Sequence, residues 1–487
     1  MLWFGRRICR GESDRIPLGA VPPRHVRDSQ QMRAVRSGRG HRRTTSGLRA
    51  GRCHRCCPAT TTRTGGSGVL ARESLRRGSA DLAARRWRSM VTANETGPLR
   101  GVRVLAIENF LSGPYGSMLL ADFGAEVIKV EPPEGDGYRR ATPNYETAEG
   151  RMSYSFLRIN RNKHSVVLDL KSAEGKEAFL RLVDEADVVW ENLRPGAMDR
   201  LGLGWSQLRE RNPRLVYASI SGFGHGDVLP RGPYADLPAF DIVAQAMSGM
   251  MTRVGEAGQP PLYLGAPVAD QLAGVMAAFG VVLALRGVDA TGEGQHVDIA
   301  MYDVMVALNE QSVGHYAHFG VIPERGLSPT SAPYGAFRAK DGWFAVGIAS
   351  DWIWARFCVA IERPDLVAAE GLRTGMERSS NQDLVLRPLI EEWASALTPV
   401  EAASVLTAAG VPAAPVQDVA DLFSDPQVAA REMLATLHDP VVGELKVAGN
   451  PVKLGGHPHI PTRTAPQLGA DQQLLEGTRE RAPRATV

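Results

Sequence analysis

The chain of 487 residues is poor in cysteine. Four of the five cysteines lie within the first 60 residues: Cys9, Cys53, Cys56 and Cys57. Cys358 stands alone in the remainder, which therefore has no second thiol for a disulfide and suits a reducing compartment. The cluster at residues 53–57 has no second pair of ligands at the spacing of a zinc finger. Chance explains it better, and we predict no metal site.

Long apolar runs are also lacking. No stretch approaches ~18 apolar residues without a charge, the length that a membrane-spanning helix needs, so we predict no membrane partner. The hydrophobic fraction of 44% is nevertheless enough for an ordinary buried core. A chain of this length has two or three domains on average. We therefore expect a globular, cytoplasmic protein.

The first 95 residues contain no lysine and little acid. They carry 21 arginines and 6 acidic residues, a charge of +15, whereas the rest of the chain carries −12. The segment is rich in Gly, Pro, Ser and Thr and has no sustained apolar period, which favours a disordered or non-native extension over residues 1–95. Two alternatives stay open, a mitochondrial-type targeting peptide and a nucleic-acid-binding arm, although we predict no nucleic-acid partner.

Strand and helix patterns alternate from residue 101 onward. A buried strand at 102–107, a helix beginning near Gly113-Pro114 and ending before Gly124, and a strand at 126–131 form a parallel unit. The alternation continues with a predicted strand at 165–170, a helix at 173–185 and two further strands at 188–190 and 215–220. This repetition predicts a Rossmann-like α/β domain with a parallel sheet over residues 99–310.

The pattern changes after Pro333. Residues 334–338 and 343–348 read as a hairpin and are followed by helices to about residue 410, which predicts a smaller α+β domain over residues 325–425. The segment 426–487 is rich in Pro and Gly, and we expect it to return to the large domain.

No glycine-rich GxGxxG or Walker-type phosphate loop is present. The loops at 108–114 and 191–196 follow predicted strands, where the carboxyl ends of parallel strands create a ligand crevice, but each is also consistent with an ordinary turn. Several basic side chains are candidates to neutralise phosphates, or simply to solvate a surface: Arg161, Lys163, Lys171, Arg194 and Arg200.

Asp270 is the most informative carboxylate. It stands at the predicted start of a long apolar helix, about 270–286, which has almost no polar face and is predicted to be buried. An N-cap role, which stabilises a helix by ~1 kcal/mol, explains the residue without catalysis. The same position suits a nucleophile, because the helix N-terminus favours the ionised carboxylate and the small neighbours Ala273 and Gly274 leave room for an acyl group.

Five ordered motifs resemble the class III CoA-transferases (CaiB/BaiF type), a family that includes formyl-CoA:oxalate CoA-transferase. They are Gly113-Pro114, the DFGAEVIKVEPP run at 122–133, Asn160-Arg161-Asn162-Lys163, ENLRPG at 191–196 and TGEGQ at 291–295. The resemblance covers about residues 99–465. It implies that Asp270, four residues before Gly274, is the catalytic nucleophile, and it thereby favours the catalytic interpretation over the N-cap.

The resemblance also implies the ligand, the partner and further site residues. Coenzyme A is expected as a substrate, with an acyl-CoA donor, a small carboxylic acid acceptor and no metal. Asp241 is expected near the active site, either orienting the nucleophile or forming a structural salt bridge. The positions matching CoA-contacting residues of the family are Leu111, Ser112, Leu168, Lys171, Asn192, Leu193 and Arg200. An interlocked homodimer is implied as well.

The resemblance implies acyl-aspartyl anhydride and aspartyl-CoA thioester intermediates, and two alternatives to this transfer of CoA remain. An α-methylacyl-CoA racemase has a similar fold but needs a base on each face of the substrate, and the residue before Asp241, where racemases resemble one another in having His, is Phe240. A non-catalytic CoA-binding protein is the other alternative, against which the presence of Asp270 argues.

Overall fold

The computed structural model describes residues 97–148, 150–326, 328, 330–457 and 461–476. The predicted extension at 1–95 therefore lies outside the described residues. The strands are β1 (Arg103–Ile107), β2 (Glu126–Glu131), β3 (Asn144–Thr147), β4 (Gly150–Ser153), β5 (His164–Val167), β6 (Val188–Glu191), β7 (Val216–Ser221), β8 (His296–Ala300), β9 (Tyr334–Arg338), β10 (Trp343–Gly347), β11 (Ala413–Pro415), β12 (Leu434–Asp439) and β13 (Gly443–Ala448).

Helices connect these strands. The α-helices are α1 (Ser112–Asp122), α2 (Tyr154–Leu157), α3 (Ala173–Asp184), α4 (Ala197–Arg200), α5 (Trp205–Arg211), α6 (Asp241–Met247), α7 (Val268–Thr291), α8 (Met301–Leu308), α9 (Glu310–Phe319), α10 (Asp351–Ala360), α11 (Gly375–Ser380), α12 (Arg387–Ala394), α13 (Pro399–Ala408) and α14 (Pro426–Ala430). Shorter 3₁₀ turns lie at Gly137–Arg140, Met250–Thr252, Pro364–Ala368, Asp421–Phe423 and Gln472–Leu475, and a π turn lies at Gln382–Leu386.

A six-stranded parallel sheet forms the centre of the fold, in the order β5-β2-β1-β6-β7-β8. The chain moves outward from β1 on one side and then continues from β6 on the other, so the order reverses between β1 and β6. In sheets of this kind, ligands bind outside the carboxyl ends of the strands at the reversal. The prediction of a Rossmann-like α/β fold is confirmed, and the crevice is expected above β1 and β6.

Two details of the sheet differ from the prediction. The third predicted strand ends at Val167 rather than at residue 170, because the Asp169 carboxylate accepts the Lys171 N–H and turns the chain into α3. β8 was not predicted at all. Four of its five residues are only half-buried and its centre holds Asp298, so its sequence lacks the continuous apolar run typical of a parallel strand.

Helix α7 begins earlier and is less buried than predicted. Its alanine-rich face, which includes Ala269, Ala273 and Ala277, packs into the core against the sheet. Its other face exposes a row of apolar side chains: Val275, Met276, Phe279, Val282 and Leu283. Among the described residues, α7 is the one helix long and apolar enough to span a membrane by composition. Its packing shows that such a composition also arises in a core helix.

Glycines bring α1 and α7 into direct contact. A Cβ on Gly116 would overlap the carbonyl oxygen of Gly274, and a Cβ on Gly274 would stand 2.6 Å from the carbonyl oxygen of Ser112. Only residues without a side chain allow this approach. The contact places the first turn of α1 beside the first turn of α7, where Asp270 lies.

A second core forms around the antiparallel sheet β11-β10-β9. The predicted hairpin is confirmed, since β9 and β10 pair antiparallel, and the rings of Phe337 and Phe344 lie in its core. Further along, the hairpin of β12 and β13 packs on Phe156 and Leu157. The domain boundaries given above stay a prediction.

Candidate active site

Asn192 joins the two loops at the reversal of strand order. Its side-chain nitrogen donates to the Asn109 carbonyl at 2.8 Å and to the Ser112 hydroxyl at 3.2 Å, and its side-chain oxygen accepts the Asn109 N–H at 2.8 Å. The loop after β6 thereby holds the loop after β1. Since the Ser112 oxygen accepts from Asn192, its hydroxyl hydrogen is free to point elsewhere.

That hydroxyl lies close to the carboxylate of Asp270 and favours its charged form. The close approach of α1 and α7 through Gly116 and Gly274 puts the two groups together. A partly buried aspartate thus lies at the carboxyl edge of the sheet, next to the loops where a ligand is expected. This arrangement is suited to nucleophilic attack by a carboxylate.

Asp270 is not the N-cap of its helix, contrary to the N-cap interpretation. Pro267 occupies the cap position, and Asp270 is the third residue of α7. The cap is supplied from outside: the Asp241 carboxylate accepts the N–H groups of Ala269 at 2.7 Å and Asp270 at 3.3 Å. A carboxylate contributed by another helix satisfies the free amides of the first turn, and the Asp270 side chain is left available for chemistry.

Asp241 makes further contacts that fix its own position. The Gln245 side-chain amide donates to it at 2.6 Å, and the Tyr263 hydroxyl is also hydrogen-bonded to it. Its partners are therefore amides and a phenol. The structure favours the orienting role of Asp241 over the salt bridge, because it holds the backbone of Asp270 directly.

Burial and charge repulsion oppose the ionisation of Asp270. Removal from water raises the pKa of its carboxyl, the negative charge of Asp241 raises it further, and the Ser112 hydroxyl offsets part of the rise, so that the pKa stands at about 7. Burial and the Asp241 charge therefore oppose the helix N-terminus, which was expected to keep this group ionised. Carboxyl groups with such raised values are common at catalytic sites.

This pKa predicts a pH-dependent effect of Asp270→Asn on stability. Between pH 4 and 7 the folded protein holds a proton on Asp270 that the unfolded chain has lost, so the free energy of unfolding falls as pH rises through this window. Asparagine carries no charge, and we expect the variant to have a higher Tm than wild type at pH 8, with the difference disappearing towards pH 4. Thermal unfolding across this range measures it. A variant that is less stable at pH 8 would contradict the assignment.

A buried network of charges lies beneath the site. Lys163 donates to Glu108 at 2.7 Å and to the Pro114 carbonyl at 2.9 Å, and Lys129 lies 2.9 Å from Asp136. These side chains are almost wholly shielded from solvent. The network anchors the loop after β1 and the first turn of α1. Lys163 was a candidate for contacting phosphate or solvating the surface, and the structure contradicts both roles.

The same network holds Phe110 and Tyr138, which form an aromatic rim together with Phe240. One carboxylate oxygen of Asp136 accepts the N–H groups of Phe110 at 3.1 Å and Tyr138 at 2.8 Å. Phe110 has a φ of 60°, a left-handed conformation that is uncommon outside glycine. Its ring packs edge-on against the rings of Tyr138 and Phe240, with centroids 5.5 and 6.3 Å away. Burial raises the pKa of Tyr138, and the charge of Asp270 raises it further, so this rim lies near Asp270.

A comparison with protein families matches most of the chain. Residues 99–472 match the model of CoA-transferase family III. The chain belongs to this family. It is 41% identical over 388 residues to the succinyl-CoA:mesaconate CoA-transferase of Haloarcula marismortui, an alignment that covers 78% of this chain and 94% of that protein.

Other CoA-transferase family III relatives agree. The succinyl-CoA–D-citramalate CoA-transferase of Chloroflexus aurantiacus is 37% identical over 376 residues, with coverage of 76% of this chain and 91% of that protein. A crystal structure of a CaiB/BaiF family protein from Brucella suis superimposes with a TM-score of 0.68 at 33% identity, covering 78% of this chain and 98% of that one. The prediction of a class III CoA-transferase, hence of an enzyme, is confirmed.

The structure brings some of the predicted CoA-transferase site residues together and separates others. Asn192 contacts Ser112 where the loops after β1 and β6 touch, and Leu111 and Leu193 are their neighbours in the chain. Leu168 and Lys171 follow β5, at the same edge but roughly 10 Å from β1, two strand spacings away. Arg200 on α4 and Lys171 are exposed, whereas Leu168 is buried. Their assignment as CoA contacts stays a prediction.

Several residues of this candidate site were not predicted from the sequence. Asn109 and Glu108 stand in the loop that was singled out, and their position after β1 was the available signal. Nothing in the sequence indicated Tyr263 or the buried charged side chains, because their partners are far away in the sequence. Among the described residues, no cluster of His, Cys, Asp and Glu is arranged to hold a metal ion.

Proposed function

We propose that this CoA-transferase moves CoA from succinyl-CoA to a dicarboxylic acid, with Asp270 as the nucleophile. The observation that carries the proposal is the partly buried Asp270 carboxylate, held by Asp241 through its backbone and facing Ser112 at the ligand-binding edge of the sheet. The substrates are argued from the relatives, whose printed names combine succinyl-CoA with mesaconate or citramalate, both dicarboxylic acids.

The first half-reaction forms a covalent enzyme. An ionised oxygen of Asp270 attacks the thioester carbon, the carbon–sulfur bond breaks, and CoA leaves as a thiolate, which gives an acyl-aspartyl anhydride. The thiolate then attacks the aspartyl carbonyl of the anhydride. Succinate departs with the anhydride oxygen, and Asp270 is left as a CoA thioester.

The second half-reaction runs the same steps in reverse with the acceptor. A carboxylate of the acceptor attacks the aspartyl thioester and releases the thiolate, which then attacks the acceptor acyl carbon and restores the Asp270 carboxylate. No net proton is consumed. The Ser112 hydroxyl, oriented by Asn192, is placed to donate to negative charge that develops on the Asp270 carboxyl oxygens.

The titration of Asp270 should limit the rate at low pH. Since only the ionised carboxylate attacks, we expect kcat/KM to rise through an acid limb near pH 7. Asp241→Asn removes the neighbouring charge and should move this limb to lower pH. Measurement of initial rates from pH 5 to 9 checks this.

Tyr263→Phe is the matched control for that experiment. It removes a hydrogen bond to Asp241 but leaves the Asp241 charge, so it should not lower the limb. If the Asp241→Asn limb stays where the wild-type limb lies, the charge of Asp241 does not act on the nucleophile.

The test of substrate class compares acceptors that differ by one carboxyl group. Purified protein is given succinyl-CoA with mesaconate, or with 2-methyl-2-butenoate, which lacks the second carboxyl, and acyl-CoA products are separated by chromatography. We expect product with the dicarboxylate and little with the monocarboxylate. Transfer to neither acid nor to citramalate would overturn the proposed substrates.

The same reactions distinguish the racemase alternative. The place of the racemase histidine is taken by the exposed phenylalanine Phe240, which cannot carry a proton. In D₂O we therefore expect no deuterium at the α-carbon of a branched acyl-CoA. Binding of CoA without any transfer would instead favour the non-catalytic alternative.

We also propose that the enzyme is a homodimer located in the cytoplasm. The apolar row of Val275, Met276, Phe279, Val282 and Leu283 on α7 supports association, because soluble monomers rarely expose contiguous apolar patches of this kind. Light scattering should give a mass near twice the 52.6 kDa of one chain. A monomeric mass would contradict the dimer.

A further inference from the structure

A second buried charge cluster lies beside the active site. Glu191 ends β6, His225 follows β7, and Asp298 lies on β8. The His225 Nε2 atom is 3.0 Å from a Glu191 oxygen, and its Nδ1 atom is 3.4 Å from an Asp298 oxygen. Asp298 also accepts the backbone N–H of His225, at 3.0 Å to its nearer oxygen. The imidazole thus stands between two carboxylates contributed by two strands.

The cluster favours a positive charge on His225, because the pKa of Glu191 is raised by burial and the His225 cation is what favours its ionised form. All three side chains are nearly shielded from solvent, and two ionised carboxylates buried around a neutral ring would repel each other without compensation. Burial lowers the pKa of His225, but the close contacts with the Asp298 and Glu191 carboxylates outweigh it and raise the pKa to about 10. His225 is therefore an imidazolium under ordinary conditions.

A short chain of contacts connects this cluster to the nucleophile. The other Glu191 oxygen accepts the N–H of Leu193 at 2.6 Å, which fixes the turn containing Asn192. Asn192 in turn donates to the Ser112 hydroxyl, which lies against Asp270. A shift of Glu191 would therefore move the residues predicted to contact CoA and the hydroxyl group beside the nucleophile.

We propose that His225 is a positioning residue, which clamps Glu191 between β6 and β8 and thereby sets the Asn192–Leu193 turn for binding the CoA portion of the substrate. A buried ion pair is weak support for stability alone, since apolar side chains of the same volume do as well or better. The Glu191–His225 pair adjoins the turn at the crevice, so it can hold that turn in position. The inference rests on the proposed function only where KM values are measured, since binding of CoA needs no turnover.

The experiment measures binding of free CoA by titration calorimetry, which needs no turnover. His225→Gln removes the cation, and we expect the Kd for CoA to rise roughly tenfold or more, because small displacements of a positioning group are costly. The KM for succinyl-CoA should rise in parallel, whereas the KM for the acceptor acid should stay near the wild-type value. Adding Glu191→Gln to His225→Gln should recover part of the affinity, since the unpaired charge is removed and an acceptor for the Leu193 N–H remains.

His296→Gln is the matched control. His296 is similarly buried on β8, where it bonds to the Ser219 hydroxyl at 2.7 Å and packs edge-on against the His225 ring, with centroids 6.2 Å apart. Its replacement disturbs the same region but leaves the His225 cation and both of its carboxylates in place. We expect it to lower Tm without changing the Kd for CoA. Equal weakening in both variants, or an unchanged Kd in His225→Gln, would overturn the inference.

Two further outcomes are distinguishable. If His225→Gln fails to fold, Glu191→Gln, which keeps the acceptor but loses the charge attraction, carries the same test, and an unchanged Kd there would overturn the clamp. If wild type binds CoA but transfers it to no acid, the proposed function fails while the binding comparison still decides the role of His225.

Discussion

Asp270→Asn is expected to reduce kcat for CoA transfer by on the order of 10⁴-fold or more, as the loss of a covalent nucleophile does elsewhere. The carboxamide has nearly the same shape, so binding of CoA should survive. It has no negative charge with which to attack a thioester, and it cannot form an anhydride. Steady-state formation of the acceptor thioester, measured by chromatography, gives the comparison.

Asp289→Asn provides the control for this variant. Asp289 is an exposed aspartate 19 residues further along the same helix, roughly 28 Å from Asp270 at 1.5 Å per residue, and at that distance its replacement should leave kcat within about twofold. If Asp270→Asn retains more than a few per cent of wild-type kcat, with deamidation excluded by mass, the nucleophile is another residue.

Gly274→Val is expected to disrupt both stability and activity. Its Cβ would stand 2.6 Å from the carbonyl oxygen of Ser112 and 3.0 Å from the backbone nitrogen of Gly116. Both atoms belong to the backbone, so α1 and α7 must separate, and overpacking of this kind costs typically about 1–3 kcal/mol. The separation also pulls Ser112 away from Asp270, and we expect kcat to fall more than a hundredfold even where the protein remains folded.

Gly287→Ala tests the geometry of that prediction on the same helix. A Cβ at Gly287 meets nothing closer than the Gln295 side chain at 3.5 Å, which is ordinary contact. This variant should be as active as wild type and more stable by about 0.5–1 kcal/mol, because alanine loses less entropy in a helix than glycine. Urea unfolding of both variants measures the difference. Wild-type activity in Gly274→Val would show that the helix contact does not position the site.

The sequence was most informative where local pattern and environment agree. β2 lies at the predicted residues 126–131, since three β-branched residues, Val127, Ile128 and Val130, stand between Gly124 and two prolines. The helix at α3 is also close to prediction, with Ser172 as its cap. β8 was missed because Asp298 and His296 are polar residues that face the His225 cluster, and their burial depends on partners distant in the chain.

In the candidate site, too, the residues in local motifs were predicted and those that depend on distant partners were not. Asp270 and the loops at 111–112 and 192–193 were identified through motifs, and the structure groups them around the reversal of strand order. The cap of α7 was not foreseen, because Asp241 reaches it from a helix 28 residues away in sequence. The burial of Lys129 and Lys163 could not be predicted either, since the local sequence does not show that a lysine forms a buried ion pair.

Trapping of the enzyme-bound thioester tests the central claim most directly. The protein is incubated with succinyl-CoA without acceptor, treated with hydroxylamine, digested and mapped by mass spectrometry. We expect a hydroxamate on Asp270 that requires succinyl-CoA and is absent from Asp270→Asn. A hydroxamate on another residue, or turnover with no modified residue at all, would contradict it.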